Sequence, residues 1–440
     1  MKNARPKPAR GMTRREFLGT ASTAAAVLAG ASRAAFAATS PATSRAANDR
    51  LGVGFIGAGG RAGTHMQCLT YLKEKANVPV DLVAVCDVYR PRMEKAKQDY
   101  KMAQGAMDYR ELLANPKVDI VCISTPDHHH GCQSIDAIKA GKDVYCEKPV
   151  THWSQFDVLK QLAEAAAKSD RVFLLGTQGM SDTVWHQMKQ LVKEGLIGKC
   201  VFGETSFFRL GDWGERGMPI PDKNAKPGPD LNWEAFLGDR PKRQFSVDRF
   251  FRWRLFEDYA GGPVTDIYPH CATQIVDILG VSFPQKVVAI GGIDRYEYEL
   301  REVPDAFNLL ARYPEKVTIS VLGSFANSYN SAEGHRGSGS RMPIIRGWDG
   351  TLTIDRNQKE IVFMPTDGSG KQLKRFPIER GENLTDHWKH LIECCQKRQK
   401  TTWSPMDLAY RTQTMLIMAM LAHKNEKVVN FDAKEQKIIL

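Results

Sequence analysis

A glycine turn between a buried strand and a helix constrains this chain more than any other feature. Leu51-Gly-Val-Gly-Phe-Ile56 reads as the strand. Gly57-Ala-Gly59-Gly60-Arg61-Ala62-Gly63 follows, and an amphipathic helix runs to about Lys75. In this G-x-G-x-x-A pattern Gly57 permits the tight turn and Gly59 lets the backbone approach a pyrophosphate. Ala62 keeps the helix close to the sheet, and the helix N-terminus favours the phosphate charge. Gly60 and Arg61 lie in the same loop. A second strand, Asp81 to Cys86, ends at Asp87, 24 positions after Gly63. An acid there suits ribose hydroxyls and repels a 2′-phosphate, so NAD is expected over NADP. Arg90 nearby argues the other way.

Strands and helices then alternate. Val118 to Ile123 is a strand whose exit loop is Ser124-Thr125-Pro126-Asp127-His128-His129-His130. Asp143-Val-Tyr-Cys-Glu147-Lys148-Pro149 is a short strand ending in a charged pair, and Val172 to Leu175 is another. This order predicts an α/β fold with a doubly wound parallel sheet, a Rossmann domain over residues 51–176. Ligands bind at the carboxyl edge of such a sheet. Thr125, Pro126, Glu147 and Lys148 are all expected there, and Pro149 forces the chain to turn. A lone Glu-Lys at a strand end is more often a structural ion pair, so the motif needs support from elsewhere. Consecutive histidines at a helix start point in different directions, which argues against one shared metal. His128 and His130 are instead expected beside a cofactor.

From residue 177 the pattern changes. Cys200–Phe208 and the runs 287–292, 306–312, 316–322, 350–354 and 361–364 read as strands without intervening helices. They predict an α+β domain with a large, mostly antiparallel open sheet. Residues 384–399 and 406–425 read as helices able to pack back on the first domain. Between them, Tyr259-Ala-Gly-Gly-Pro-Val-Thr-Asp266 leads into a helix ending at Gly280. Asp266 and His270 are four apart and share a face, with Asp277 further along it. Pro269 belongs in a first turn, which makes Asp266 a natural N-cap. The functional alternative is a carboxylate that orients an imidazole able to exchange protons near neutrality.

The chain has 440 residues and a formal charge of +11. Residues 1–37 hold seven Lys/Arg against Glu16, so they account for +6 of it. No basic stripe interleaved with aromatics is present, which argues against a nucleic-acid partner. Thr13-Arg-Arg-Glu-Phe-Leu18, the apolar run to Gly30 and Ala35-Phe36-Ala37 read as a twin-arginine export signal, with a linker over 38–50. A periplasmic mature protein without a membrane span is expected. The nine cysteines match no zinc spacing, and buried reduced thiols are the simplest account.

Taken in order, G-x-G-x-x-A with Asp87, Thr125-Pro126, Glu147-Lys148-Pro149 and Asp266-x-x-x-His270 resemble the glucose–fructose oxidoreductase/inositol dehydrogenase (Gfo/Idh/MocA) family. The resemblance runs from about Leu51 to Leu440. It implies an NAD-binding domain followed by an open-sheet domain that covers the nicotinamide and mediates homodimers or homotetramers. It implies hydride transfer between a nicotinamide and a hydroxyl or ketone of a sugar, cyclitol or derivative. Carried over, the resemblance implies that Lys148 polarises or helps deprotonate the reacting hydroxyl, that His270 is the general base, and that Asp266 orients these groups or holds substrate hydroxyls. Gln178 joins the cofactor set, but Thr177-Gln178-Gly179-Met180 lacks the basic residue that many exported relatives carry beside it. Trp185, Trp213, Arg252, Arg254 and Tyr259 are candidates for sugar contacts. Export implies a tightly bound cofactor recycled in place. That keeps open a redox-neutral glycosidase acting through a transient keto-sugar. A non-catalytic periplasmic sugar-binding protein is the alternative outside enzymology.

Overall fold

The computed structural model describes residues 50–212, 218–297, 300–330, 335–336, 343–355, 357–378 and 384–440. Residues 1–37, expected to be an export signal, the linker up to residue 49, Trp213 and most of the Ser/Gly-rich stretch 328–341 lie outside them. Among the described residues no helix is long and apolar enough to cross a membrane.

Six strands form the first sheet: β1 (Leu51–Ile56), β2 (Val80–Cys86), β3 (Gln104–Ala106), β4 (Ile120–Ile123), β5 (Asp143–Glu147) and β6 (Phe173–Gly176). Their order is β3-β2-β1-β4-β5-β6, with every pair parallel. β1, β4, β5 and β6 are buried throughout, because helices cover both faces. The sheet is the expected doubly wound one, with one addition. β3 is a three-residue edge strand too short for its hydrophobic pattern to register, so β5 is the fifth strand in sequence and not the fourth.

The second sheet has ten strands in the order β16-β15-β14-β13-β7-β10-β9-β8-β17-β18. They are β7 (Cys200–Phe208), β8 (Lys286–Gly292), β9 (Ala306–Arg312), β10 (Thr318–Ser324), β13 (Ile344–Gly347), β14 (Gly350–Ile354), β15 (Glu360–Pro365), β16 (Lys374–Pro377), β17 (Val429–Asp432) and β18 (Lys437–Ile439). A separate hairpin joins β11 (Tyr329–Asn330) and β12 (His335–Arg336). All pairs in the large sheet are antiparallel except β7 with β10. Alternation along β9 sends Phe307, Leu309 and Ala311 inward against the helices Tyr268–Leu279 and Met406–Asn425. On the opposite face Ile290 is 71% exposed, with Val288 and Leu310 beside it.

Two C-terminal helices return to the first sheet, and the second of them joins the halves. The helix Leu384–Lys397 lays Trp388, Leu391 and Ile392 onto the first-sheet core. The helix Met406–Asn425 contributes to the cores of both sheets. Residues 218–260 build an aromatic cluster around Trp233, Phe236 and Phe250 that takes in Tyr89, just past β2. Seven of the nine cysteines are buried, Cys132 is exposed, and none of the nine is in a disulfide.

Candidate active site

The parallel strands all end at one edge, so the loops after β1, β2, β4 and β5 converge there. After β1, Gly57 has φ +89°, and a Cβ on it would lie 2.7 Å from the Ser124 carbonyl. Only glycine fits that turn. Around Gly59 and Gly60 an added Cβ would meet nothing within 4 Å. The start of the helix Gly60–Glu74 therefore faces open space, as a phosphate cradle requires. Ala62 is fully buried against the sheet. Asp87 accepts the N–H groups of Ala58 (2.8 Å) and Tyr89 (2.9 Å), which fixes the acid beside the glycine loop. These residues fit a bound dinucleotide.

Residues 222–232 clamp this same end. The Asn232 N–H donates to the Val88 carbonyl and the Arg90 N–H to the Asp230 carbonyl, both at 2.9 Å. The Tyr89 hydroxyl donates to Asp222 at 3.0 Å. Arg90 is paired with Asp230 at 2.9 Å. A hollow of about 480 Å³ opens beside the clamp, walled by Met107, Pro227 and Trp233 among others.

At the end of β5, Glu147 and Lys148 part company. Glu147 is buried and accepts Arg61 Nε at 2.7 Å and His65 Nε2 at 2.8 Å. Trp388 Nε1 donates to His65 Nδ1 at 2.9 Å. An indole N–H can only donate, so a neutral His65 carries its proton on Nε2 and gives it to Glu147. Burial pushes the His65 imidazole down, in keeping with the neutral ring. Burial also opposes ionisation of Glu147, but Arg61 and His65 outweigh it and hold the carboxyl well below the usual carboxylate range. Arg61 reaches on to Gln178 Oε1 at 3.1 Å. Gly176, opposite Glu147 on β6, leaves room for this carboxylate, since a Cβ there would lie 2.9 Å from its Oε1.

Lys148, whose peptide to Pro149 is cis, turns the other way. Its Nζ donates to Asp266 Oδ1 at 3.0 Å and to the Asp266 carbonyl. Arg209 donates to Asp266 Oδ2 at 3.3 Å, and Arg254 Nε stands 3.6 Å from Oδ1. Burial alone would raise the Asp266 carboxyl, but Lys148, Arg254 and Arg209 hold it well below the usual range. Asp127, the first residue of the helix Asp127–Lys139, completes the cluster. It is buried, and it is pushed up to about 7 by that burial, against the pull of Arg254, Lys148 and the Thr265 hydroxyl.

The single helix expected from Asp266 to Gly280 is instead two: Pro263–Asp266 and Tyr268–Leu279, broken at Ile267. Pro269 does sit in a first turn, but the turn belongs to the second helix. Asp266 therefore caps nothing and is the last residue of the first helix. Asp277 faces away from the cluster's chemistry and pairs with Lys189 at 2.7 Å. His270 is 8% exposed in the first turn of the second helix, and its backbone N–H donates to the Ile267 carbonyl at 3.2 Å.

The loop after β4 is held from behind. Thr125 Oγ1 donates to Gln133 at 2.8 Å, and Pro126 occupies the N-cap. His130 lies between the Pro149 carbonyl (2.6 Å) and the Thr125 carbonyl (2.8 Å), which ties the β4 and β5 exits together. His128 and His129 both reach the Phe236 carbonyl at 2.8 Å. Among the described residues no group of three metal-ligating side chains is found. Of the candidates for sugar contacts, Arg254 lies in the Asp266 cluster. Trp185 and Tyr259 are core residues, and Arg252 is spent on the Met218 carbonyl and Asp248. Asp127, Arg209, His65 and Trp388 were not singled out in the sequence as site residues.

Residues 51–177 match the Gfo/Idh/MocA model, described as "Oxidoreductase family, NAD-binding Rossmann fold". A trans-1,2-dihydrobenzene-1,2-diol dehydrogenase from Bos taurus is 25% identical over 72% of this chain and 80% of its own length. An alpha-N-acetylgalactosaminidase from Shewanella oneidensis is 27% identical over 37% of this chain and 36% of its own. A levoglucosan dehydrogenase solved with NADH and levoglucosan superposes with a TM-score of 0.66 at 15% identity, over 87% of this chain and 99% of that one.

Proposed function

We propose that this chain, whose residues 51–177 match the NAD-binding domain of the Gfo/Idh/MocA oxidoreductases, moves hydride between a retained NAD and a hydroxyl or ketone of a sugar, cyclitol or derivative. The observation that carries this reading is the Lys148–Asp266 pair at the end of β5. An ammonium has three donors. Asp266 takes two of them, which leaves one for a substrate oxygen. Arg209 and Arg254 hold Asp266 in turn, so Lys148 is fixed where negative charge would develop on that oxygen. A bound nicotinamide would supply the hydride acceptor at this edge. His270, a turn beyond Asp266, is the general base in this reading. Gly57, Gly59, Gly60, Arg61, Ala62, Asp87, Thr125, Pro126, His128, His130, Glu147 and Gln178 shape the cofactor groove. Asp87 favours NAD because a 2′-phosphate would meet its carboxylate.

The clamp from Asp222 to Asn232 supports retention of the dinucleotide. A periplasmic address after twin-arginine export would require that retention. The exposed apolar face of β8 and β9 is the surface we assign to a homodimer or homotetramer.

A second reading is favoured by the galactosaminidase relative: oxidation and re-reduction of one substrate around a glycosidic elimination. Denaturing the purified protein and assaying the supernatant for NAD(H) tests both. No NAD released, and none taken up, sinks either one and leaves a sugar-binding protein. With NAD present, levoglucosan or myo-inositol should raise NADH absorbance in a single turnover. Cleavage of p-nitrophenyl α-N-acetylgalactosaminide without net NADH moves the assignment to the glycosidase.

A further inference from the structure

Arg254 stands in the Lys148 cluster, and the reading above gives it only the holding of Asp266. It belongs to the short turn Trp253–Leu255, and its guanidinium lies 4.2 Å from the centre of the Trp253 ring, which fixes its plane. Its Nε is 3.6 Å from Asp266 Oδ1, too far for a hydrogen bond. That oxygen already accepts Lys148 Nζ at 3.0 Å, and Oδ2 accepts Arg209 at 3.3 Å. The other polar contact of Arg254 is from Nη1 to the Met218 sulfur at 3.5 Å, and a thioether is a weak acceptor. Among the described residues no oxygen accepts a hydrogen bond from this guanidinium, and Asp266 is the only acid within ion-pair distance of it.

Two nearby arginines show the contrast. Arg252 donates Nε to the Met218 carbonyl and Nη1 to Asp248. Arg249 pairs with Asp258 and Glu302. Both find oxygen partners inside the protein, and Arg254 does not. One carboxylate charge is shared by Lys148, Arg209 and Arg254. Asp127, the second acid of the cluster, is bonded to the Thr265 hydroxyl. A guanidinium offers five donors in a planar fork that matches the oxygens of a carboxylate or a phosphate. Met218 is a flexible side chain that such an oxygen can displace. Lys148 and Arg254 converge on the same Oδ1, so a molecule whose oxygen meets Lys148 comes within reach of Arg254. We propose that the substrate is an acidic sugar, held by Arg254 through its anionic group, a carboxylate or a phosphate ester, while its reacting oxygen meets Lys148. This rests on the oxidoreductase reading, whereas the anion contact requires only that the sugar bind at this edge.

The test uses the full chain loaded with NAD. The probes are D-glucuronate, D-galacturonate and glucose 6-phosphate, each set against its neutral parent sugar, D-glucose or D-galactose. In calorimetric titrations at least one acid should bind about tenfold or more tighter than its parent. Its affinity should fall as salt is raised. A uronate ahead of glucose 6-phosphate assigns the anion as a carboxylate, and the reverse order assigns it as a phosphate ester. Arg254→Met should bring the ratio of acid to neutral affinity close to one. Arg254→Lys, which keeps the charge and loses the fork, should restore part of it. The comparison in the parent protein stands even if neither variant folds. Neutral sugars that bind as tightly as the acids, no acid binding at millimolar concentration, or an unchanged ratio in Arg254→Met overturns the proposal. A preferred acid on protein that neither releases NAD nor takes it up sinks the oxidoreductase reading and leaves the anion contact standing.

Discussion

Glu147 and Lys148 are neighbours in sequence and opposites in use. Glu147 looks back into the first domain, where Arg61, His65 and Trp388 close a hydrogen-bonded network around it. Lys148 looks toward the second domain, where Asp266, Arg209, Arg254 and Asp127 form a cluster of mixed charge. The first arrangement leaves its carboxylate no spare function: each partner is fixed by another, so it serves rigidity. The second leaves one lysine donor and one neutral-range carboxyl unspent. One strand end thus holds side by side an anchor and, in the proposed function, the group that meets substrate.

The sharpest way to break this contrast is Glu147→Ala. It strands the Arg61 guanidinium and the buried His65, and removing one partner of a buried pair costs about 3–5 kcal/mol. We expect a loss of that size in denaturant unfolding. A loss below about 1 kcal/mol would mean that Glu147 is no anchor. Lys148→Met should do the reverse, with turnover falling about 10²–10³-fold as an oxyanion donor is lost. Bound NAD should remain and the melting temperature should change little. A variant that turns over normally removes Lys148 from the chemistry.

The contrast also explains what was legible in the sequence. Gly57, Asp87 and the Glu147-Lys148-Pro149 end stand in local patterns whose geometry follows from strand–turn–helix order. The partners do not. His65 meets Glu147 across 82 residues, Lys148 meets Asp266 across 118, and Trp388 meets His65 across 323. No periodicity encodes such pairings. The break at Ile267 was hidden because Pro269 suits the first turn of either a long helix or a second one. The parallel pairing of β7 with β10 was hidden because a lack of helices between strands does not say which strands meet. Asp127 was passed over beside three histidines, although its place directly after Thr125-Pro126 marked it as a residue of the ligand edge.

A pH titration of stability separates the two carboxyls of the Lys148 cluster. Asp127 is raised from 3.8 to about 7, so the folded state binds its proton more tightly than the unfolded one. Stability should therefore fall as pH rises from about 4 to about 7, and stay lowered above that. Asp266 is depressed, so its contribution is present above the unfolded carboxyl value and is lost as pH falls toward its own. Asp127→Asn removes the first effect and keeps the second. It should be more stable than the parent at and above neutrality by about 2–4 kcal/mol, and equal to it in acid. Chemical denaturation at several pH values measures this. A parent protein whose stability does not fall between mild acid and neutrality would contradict the assigned protonation of Asp127.

The smallest effect probes the anchor from behind. Trp388→Phe keeps a ring to stack on Tyr145, whose centroid lies 4.5 Å away, but removes the indole N–H that His65 Nδ1 accepts. A buried acceptor left without a donor costs about 1–2 kcal/mol. His65 is then free to move its proton to Nδ1, which would face Glu147 Oε1 with a bare Nε2 and repel it. Nitrogen NMR of the histidine rings should show His65 as the Nε2–H tautomer in the parent and a mixture in the variant. NAD affinity and turnover should not change, because neither Arg61 nor the Lys148 cluster touches the indole. A changed turnover rate would show that the two sides of the β5 end are coupled.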